Sequence, residues 1–309
     1  MRPSVRIQEL VNHVNNCAKL LGLDLLAAKV TIVFRTCVTT IVPITYTIFA
    51  LQWAIRETLR YWMDGLKAGF MLGGLVNGVT KLLYVLVKHS AVRDMFNYII
   101  EIFVEYENRG ADYCIALNFG IDRVVKIRSF IRYGYIVTYI IMLSVPWVLL
   151  FYNDTRSTVM QYEIPGLNME TYLGYGLTYL QHFLTAIVAA TGFYAGDMMV
   201  LINLVQILTF AEIFKLKANI LDEALNNKAQ SRWAANVGEY IDYDIEELLF
   251  DLIKWHQFFT DYCRNVIQLY HISIESQVLS AAVSIVICFC VNLGGFHLIS
   301  AIYMLISAY

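Results

Sequence analysis

The sequence predicts an all-α protein that crosses a membrane several times. Three observations carry that reading. Hydrophobic residues make up 58% of the 309 and charged residues 16%. A soluble domain averages about 25% charged residues, so this chain has too little charge to cover a solvated surface. Five stretches are apolar over the ~20 residues that one helix needs to cross a bilayer. Lysine and arginine are divided unevenly between the segments that join those stretches.

The elements follow in chain order. Residues 1–24 mix Arg2, Arg6, Glu9, Lys19 and Asp24 with apolar positions and lack the long apolar core of a cleavable signal. Leu10, Val14, Cys17, Leu20 and Leu21 recur at helical spacing, which suits a helix on the membrane surface or one packed in the cytosol. The first span is expected over 30–55. The second, over 63–87, is rich in glycine: Gly65, Gly69, Gly73, Gly74 and Gly78. The third covers 127–151 and the fourth 172–210. The fourth is longer than a bilayer requires, so its end is expected to project into the cytosol. The fifth covers 266–293 and follows an amphipathic run from Ile245 to Phe259. Residues 296–309 begin like a sixth span but are too few to cross. No Gly/Ser/Pro-rich linker, low-complexity tract or fixed-period repeat interrupts the chain. The expectation is one transmembrane domain over 1–309, with a cytoplasmic anchor region at about 211–265.

Orientation follows from the basic residues. Arg2, Arg6, Lys19 and Lys29 precede the first span. Lys88, Arg93, Arg109, Arg123 and Lys126 separate the second from the third. Lys215, Lys217, Lys228, Arg232 and Lys254 separate the fourth from the fifth. Only Arg56, Arg60 and Arg156 fall on the opposite side. This bias predicts a cytoplasmic N-terminus. Asn153, in the sequon Asn153-Asp154-Thr155, falls in a segment expected outside and is the candidate glycosylation site. None of the six cysteines falls in an outside segment, so no extracellular disulfide framework is expected.

Composition and motifs exclude several classes. A net charge of -2 does not suit a nucleic-acid binder. No glycine-rich phosphate loop, Cys-x-x-Cys pair or His-Glu-x-x-His helix is present, so no catalytic set, metal or cofactor is expected. Asp122-Arg123 is similar to the acid–arginine pair of G-protein-coupled receptors. It precedes the third span instead of ending it, and reads as a solvated cap before a helix. Asp64 and Lys67 are spaced to pair near the outer end of the second span. Lys81 and Asp197 both lie toward the inner halves of their spans.

The candidate binding residues are aromatic. The outer halves of the third and fourth spans hold Tyr139, Trp147, Tyr152, Tyr172, Tyr175, Tyr179, His182 and Phe183. Those from Tyr172 to Phe183 follow three-to-four spacing on one helix face. Tyr152 and Tyr172 suit an interfacial aromatic belt. Tyr179, His182 and Phe183 lie at least a turn deeper. Phe70, Met71 and Gly74 of the second span and Leu143 of the third complete an apolar wall, which can enclose a small molecule or pack tightly. Tyr179, His182 or Thr185 can meet a ligand's one polar group. Further on, Leu248, Leu252 and Trp255 form an apolar stripe at i, i+4, i+7. Outside a bilayer such a stripe packs on its own bundle or on a partner subunit.

The layout resembles the insect odorant receptors. The similarity lies in the short N-terminal helix, the cytoplasmic N-terminus, the overlong fourth span and the segment Leu248-Leu249-Phe250-Asp251-Leu252-Ile253-Lys254-Trp255-His256-Gln257. It implies a seven-helix fold, with the end of span six and all of span seven missing from this chain. It also implies a tuning subunit of a heteromeric, ligand-gated, non-selective cation channel in the plasma membrane of olfactory neurons. Such a subunit binds a small volatile odorant among spans two, three, four and six, which adds Tyr303, and pairs with a co-receptor subunit through cytosolic helix ends. An insect gustatory receptor has the same fold and stays open as an alternative. A metabotropic seven-helix receptor or a transporter is the alternative from another class.

Overall fold

The computed structural model describes residues 1–29, 34–58, 77–78, 80–81, 83–153, 164, 166–233 and 245–293. Six helices are defined among the described residues: α1 (Pro3–Leu20), α2 (Phe34–Thr58), α3 (His89–Glu107), α4 (Ala111–Asn153), α5 (Tyr172–Trp233) and α6 (Ile245–Leu293). The described residues among 77–87 are helical too, and no strand occurs among the described residues. α4 and α5 are long and apolar enough to cross a membrane. The expected third and fourth spans lie inside them. Span six, with Tyr303, and most of span two, with Asp64, Lys67, Phe70, Met71 and Gly74, lie outside the described residues.

Packing divides the chain into two compact units. The first gathers residues 1–12, 94–127 and 199–270. Its core is built by helical spacing. Phe96, Ile99, Phe103 and Tyr106 recur every three or four residues on α3, and Leu117, Ile121 and Val124 do so on α4; all are buried. Fully burying a side chain such as Phe96 or Phe103 contributes about 1.5–3 kcal/mol. Phe210 meets Trp255 edge-on at 5.8 Å and Tyr262 at 4.8 Å. The Trp255 indole N–H donates to the Phe210 carbonyl at 3.2 Å. The Tyr262 hydroxyl donates to the Asn203 carbonyl, and the Asn203 amide donates to the Tyr270 hydroxyl, each at 2.9 Å. Lys217 is buried against the rings of Tyr106 and Trp255 and pairs with Asp251. Burial keeps the Tyr106 hydroxyl neutral, its pKa pushed well above the ordinary phenol value.

Asp122 and Arg123 are not a cap. Both lie inside α4, which begins at Ala111. Asp122 takes a 2.5 Å bond from Arg6, which also donates to Asn118. Arg123 lies over the Phe119 ring at 4.0 Å.

The second unit gathers residues 13–93, 128–198 and 271–309. α1 ends here in a Schellman turn. The Leu23 N–H bonds the Ala18 carbonyl and the Gly22 N–H bonds the Lys19 carbonyl, each at 3.0 Å. Gly22 has φ +82°, which costs a side-chain-bearing residue strain, and an added Cβ would lie 2.6 Å from the Thr36 nitrogen. The Thr36 hydroxyl in turn donates to the Gly22 carbonyl. Asn15 and His89 secure the following segment through Asp24 and Leu25. α2 turns Ile41, Ile44, Ile48, Leu51 and Ile55 outward, a surface suited to lipid.

Candidate functional site

The candidate binding wall forms where α4 and α5 meet in the second unit. Helical spacing puts Tyr139, Leu143 and Trp147 on neighbouring turns of α4, and Tyr175, Tyr179 and His182 on neighbouring turns of α5. The structure joins part of this set directly. The Trp147 indole N–H donates to the Tyr179 hydroxyl at 2.7 Å, and that hydroxyl donates onward to the Leu143 carbonyl at 3.1 Å. The Trp147 and Tyr179 rings meet edge to face at 5.4 Å. Such a pair contributes about 0.5–1.5 kcal/mol beyond area burial. Tyr175 packs at 6.3 Å from Tyr179. Met142 is buried, with Leu143, Val145 and Tyr179 packed against it.

Tyr179 therefore spends its hydroxyl inside the wall and not on a ligand. His182 and Thr185 are buried, and the Thr185 hydroxyl has no hydrogen-bond partner among the described residues. Burying a hydroxyl without a partner costs about 1–3 kcal/mol, so a group that met it would recover that. Phe183 is half-buried. Tyr139 stacks on Tyr135 at 6.4 Å. Tyr152 and Tyr172, assigned to the aromatic belt, are 87% and 85% exposed.

One cluster was not assembled by the sequence reading. Lys81, buried, forms an ion pair with the half-buried Asp197, and the Tyr135 hydroxyl donates to the same carboxylate at 2.5 Å. The signal was present in part, since both charges sit in the inner halves of their spans and a buried charge needs a partner. Tyr135, three to four residues from neighbours on an apolar helix, gave no such signal.

The remaining residues fall elsewhere. Asn153 closes α4, and 154–163 lie outside the described residues. Leu248 and Leu252 are half-buried and Trp255 is turned into the first unit's core, 4% exposed. On the same helix Leu249, Phe250 and Ile253 are the apolar side chains left outside.

Two helices, α4 and α5, are long and apolar enough to cross a membrane, and α5 carries Asp197 of the Lys81–Asp197 pair on its apolar stretch. A family model for the 7tm Odorant receptor matches residues 64–306. A Drosophila melanogaster protein described as "Putative odorant receptor 83c" is 42% identical over 309 residues, which is 99% of this chain and 78% of the relative. The chain belongs to the odorant receptor family, a family of membrane-bound sensory receptors and not of enzymes. Membership supports an insect olfactory chemoreceptor.

Proposed function

We propose that this chain is the odorant-binding subunit of a heteromeric, ligand-gated, non-selective cation channel. Its N-terminus is cytoplasmic, its membrane is the plasma membrane of an olfactory neuron, and a co-receptor subunit completes the channel. The ligand is a small, volatile, mostly apolar molecule, aromatic in its core, with one hydrogen-bonding group. The observation that carries the reading is the wall of Trp147, Tyr179, Tyr175 and Leu143, in which the Trp147 indole and the Tyr179 hydroxyl are satisfied, with the buried Thr185 hydroxyl, which has no partner among the described residues, on the same helix as Tyr179. Aromatic contacts supply affinity without charge, and micromolar binding, about -8 kcal/mol, lies within reach of roughly ten heavy atoms. Phe70, Met71, Gly74 and Tyr303 remain part of the proposed lining. The co-receptor meets the exposed α6 face of Leu249, Phe250 and Ile253, with Leu248 and Leu252 at its edge; Trp255 supports that face from within.

The test is current recorded from cells expressing the chain with and without a co-receptor, over pairs of aromatic volatiles that differ by one hydroxyl or carbonyl. Thr185→Val should raise the half-maximal concentration about tenfold for the polar member, equivalent to ~1.4 kcal/mol, and leave its hydrocarbon partner nearly unchanged. Tyr172→Leu should move neither. Current without a co-receptor would sink the heteromeric reading. Equal shifts for both members of each pair would remove Thr185 from the site.

A further inference from the structure

A second cluster in the second unit lies apart from the Trp147–Tyr179 wall and joins it through the Tyr135–Tyr139 stack. α1, α4 and α5 meet at Tyr194. The His13 imidazole nitrogen Nε2 and the Tyr194 hydroxyl share a hydrogen bond of 3.1 Å, with the rings edge-on at 6.1 Å. Tyr135 closes the other side of Tyr194, edge-on at 6.3 Å. Arg128 and Arg132 lie within electrostatic reach of both His13 and the Tyr194 hydroxyl. Arg128 is half-buried and Arg132 is exposed. They sit one turn apart on α4, an arrangement that like charges disfavour in the absence of a counter-ion.

No such counter-ion comes from the described residues. Neither arginine has a carboxylate partner among them. The carboxylate on the far side of Tyr135 is Asp197, and it is already held by Lys81 and by Tyr135 itself. The level of the pair along α4 is also informative. Before the pair, Leu117, Ile121 and Val124 are buried and Ile115 and Phe119 are exposed; beside and beyond it Phe130 is 79% exposed, Tyr133 69% and Ile140 61%, while Met142 stays buried. Arg128 and Arg132 therefore sit where the helix begins to present a lipid-compatible surface, the depth of a headgroup.

We propose that Arg128, Arg132, Tyr194 and His13 form a site for a phosphomonoester, supplied by the headgroup of a phosphorylated inositol lipid. Guanidinium forks pair with phosphate oxygens two at a time. A phosphomonoester carries about -1.5 to -2 charge and three acceptor oxygens near neutral pH, enough for two arginines and one hydroxyl. With His13 donating to the Tyr194 oxygen, the tyrosine proton is left to donate to the ligand. A phosphodiester headgroup such as phosphatidylserine offers less charge at one phosphorus and matches the pair less well. Basic pockets between helices on the cytoplasmic side are where such lipids bind. That placement rests on the cytoplasmic N-terminus proposed above. Nanodiscs expose both faces, so binding is read whichever way the chain is oriented.

The experiment uses the full chain in phosphatidylcholine nanodiscs. A fluorescent phosphatidylinositol bisphosphate is the probe. Phosphatidylserine at matched total charge, soluble inositol trisphosphate and inorganic phosphate are the competitors. Saturable binding is expected. Arg128→Gln with Arg132→Gln should weaken it about tenfold or more, and Arg132→Lys should recover only part, since the ammonium keeps charge but not the fork. Arg132→Gln alone, at an exposed position, keeps the test valid if the double variant does not fold. Lys126→Gln, exposed on the same helix, should change affinity less than about twofold. Equal loss with Lys126→Gln, equal competition by phosphatidylserine, or binding unchanged in Arg132→Gln would overturn the site. Equal competition by inositol trisphosphate would overturn the lipid as its source.

Discussion

Replacing Asp197 by Asn should destabilise the second unit more than any other single conservative change. The Lys81 side chain is 7% exposed and that of Asp197 is 18% exposed. Lys81 also lies 5.2 Å from the centre of the Phe193 ring, and its stem lies 3.5 Å from where a Cβ on Gly196 would sit. The ammonium thus has no room to reach water when its partner is lost. Breaking a buried pair by removing one member costs about 3–5 kcal/mol, because the other charge stays behind. Against a total of about 5–15 kcal/mol that is a large share. At about 2–4 °C per kcal/mol, even 3 kcal/mol lowers the melting temperature by roughly 6–12 °C. Lys81→Met should cost somewhat less, since Asp197 keeps the Tyr135 hydroxyl. Tyr135→Phe removes one hydrogen bond to a charged group, about 1.5–3 kcal/mol. The double variant Lys81→Met with Asp197→Leu leaves no buried charge and should lose little beyond the Tyr135 hydrogen bond, well short of the sum of the two single losses. The assay is the temperature at which detergent-solubilised receptor stops eluting as a single peak after heating. A double variant that loses the sum of the two single losses would refute the coupling, and with it the claim that the pair stabilises through mutual compensation.

Three further outcomes are expected. Gly22→Ala should lower the melting temperature, since the left-handed backbone alone costs about 1–2 kcal/mol and the new Cβ meets the Thr36 nitrogen; Gly134→Ala, with open space around it, should be neutral or raise it. His13 has its pKa lowered by burial first, then by Arg128 and Arg132. Its contribution to stability is present above the ordinary histidine value and is lost as pH falls toward the lowered one. Thermal stability should therefore decline on acidification below about 6.5, less steeply in His13→Gln, and parallel curves for the two proteins would exclude His13 as the cause. Single cysteines at Gln8 and Gln230, both exposed, should resist an impermeant thiol reagent on intact cells, and labelling of Gln8→Cys from outside would reverse the proposed orientation.

The apolar cores of α4 and α5 were legible because a bilayer imposes a length that hydropathy records. Their full extents were not. α4 starts at Ala111 and α5 runs on to Trp233, beyond the apolar stretches, because helical hydrogen bonds continue wherever a face finds packing partners. The pattern Phe96, Ile99, Phe103, Tyr106 announces such a face at three-to-four spacing. The basic residues around it mark the same segment as a loop side, and the two signals overlap on α3. The same limit applies to Asp122, whose pairing with Arg6 joins residues far apart in sequence. The aromatic wall was legible as composition on two helix faces. That Tyr179 turns its hydroxyl to Leu143, leaving Thr185 as the polar group proposed for the ligand, depends on how the two helices are rotated, and no single-helix periodicity contains that. Trp255 illustrates the converse. Its place in an i, i+4, i+7 stripe showed that it is buried, but not whether against its own chain or another.

Two lysines near the end of the long helix α5 will have different chemical lives. Lys215 is 69% exposed and only loosely associated with Glu212 at 4.0 Å. Lys217, two residues on, is 3% exposed, enclosed by Tyr106 and Trp255 and held by Asp251. Amine acylation, trypsin and the ubiquitin ligases that mark membrane proteins for turnover all need an accessible ammonium and a yielding backbone. They should act at Lys215 and pass over Lys217 for as long as the fold is intact. A peptide modified at Lys217 is then a record of unfolding, and the ratio of modification at the two sites reports the receptor's structural integrity inside a living cell without any functional measurement.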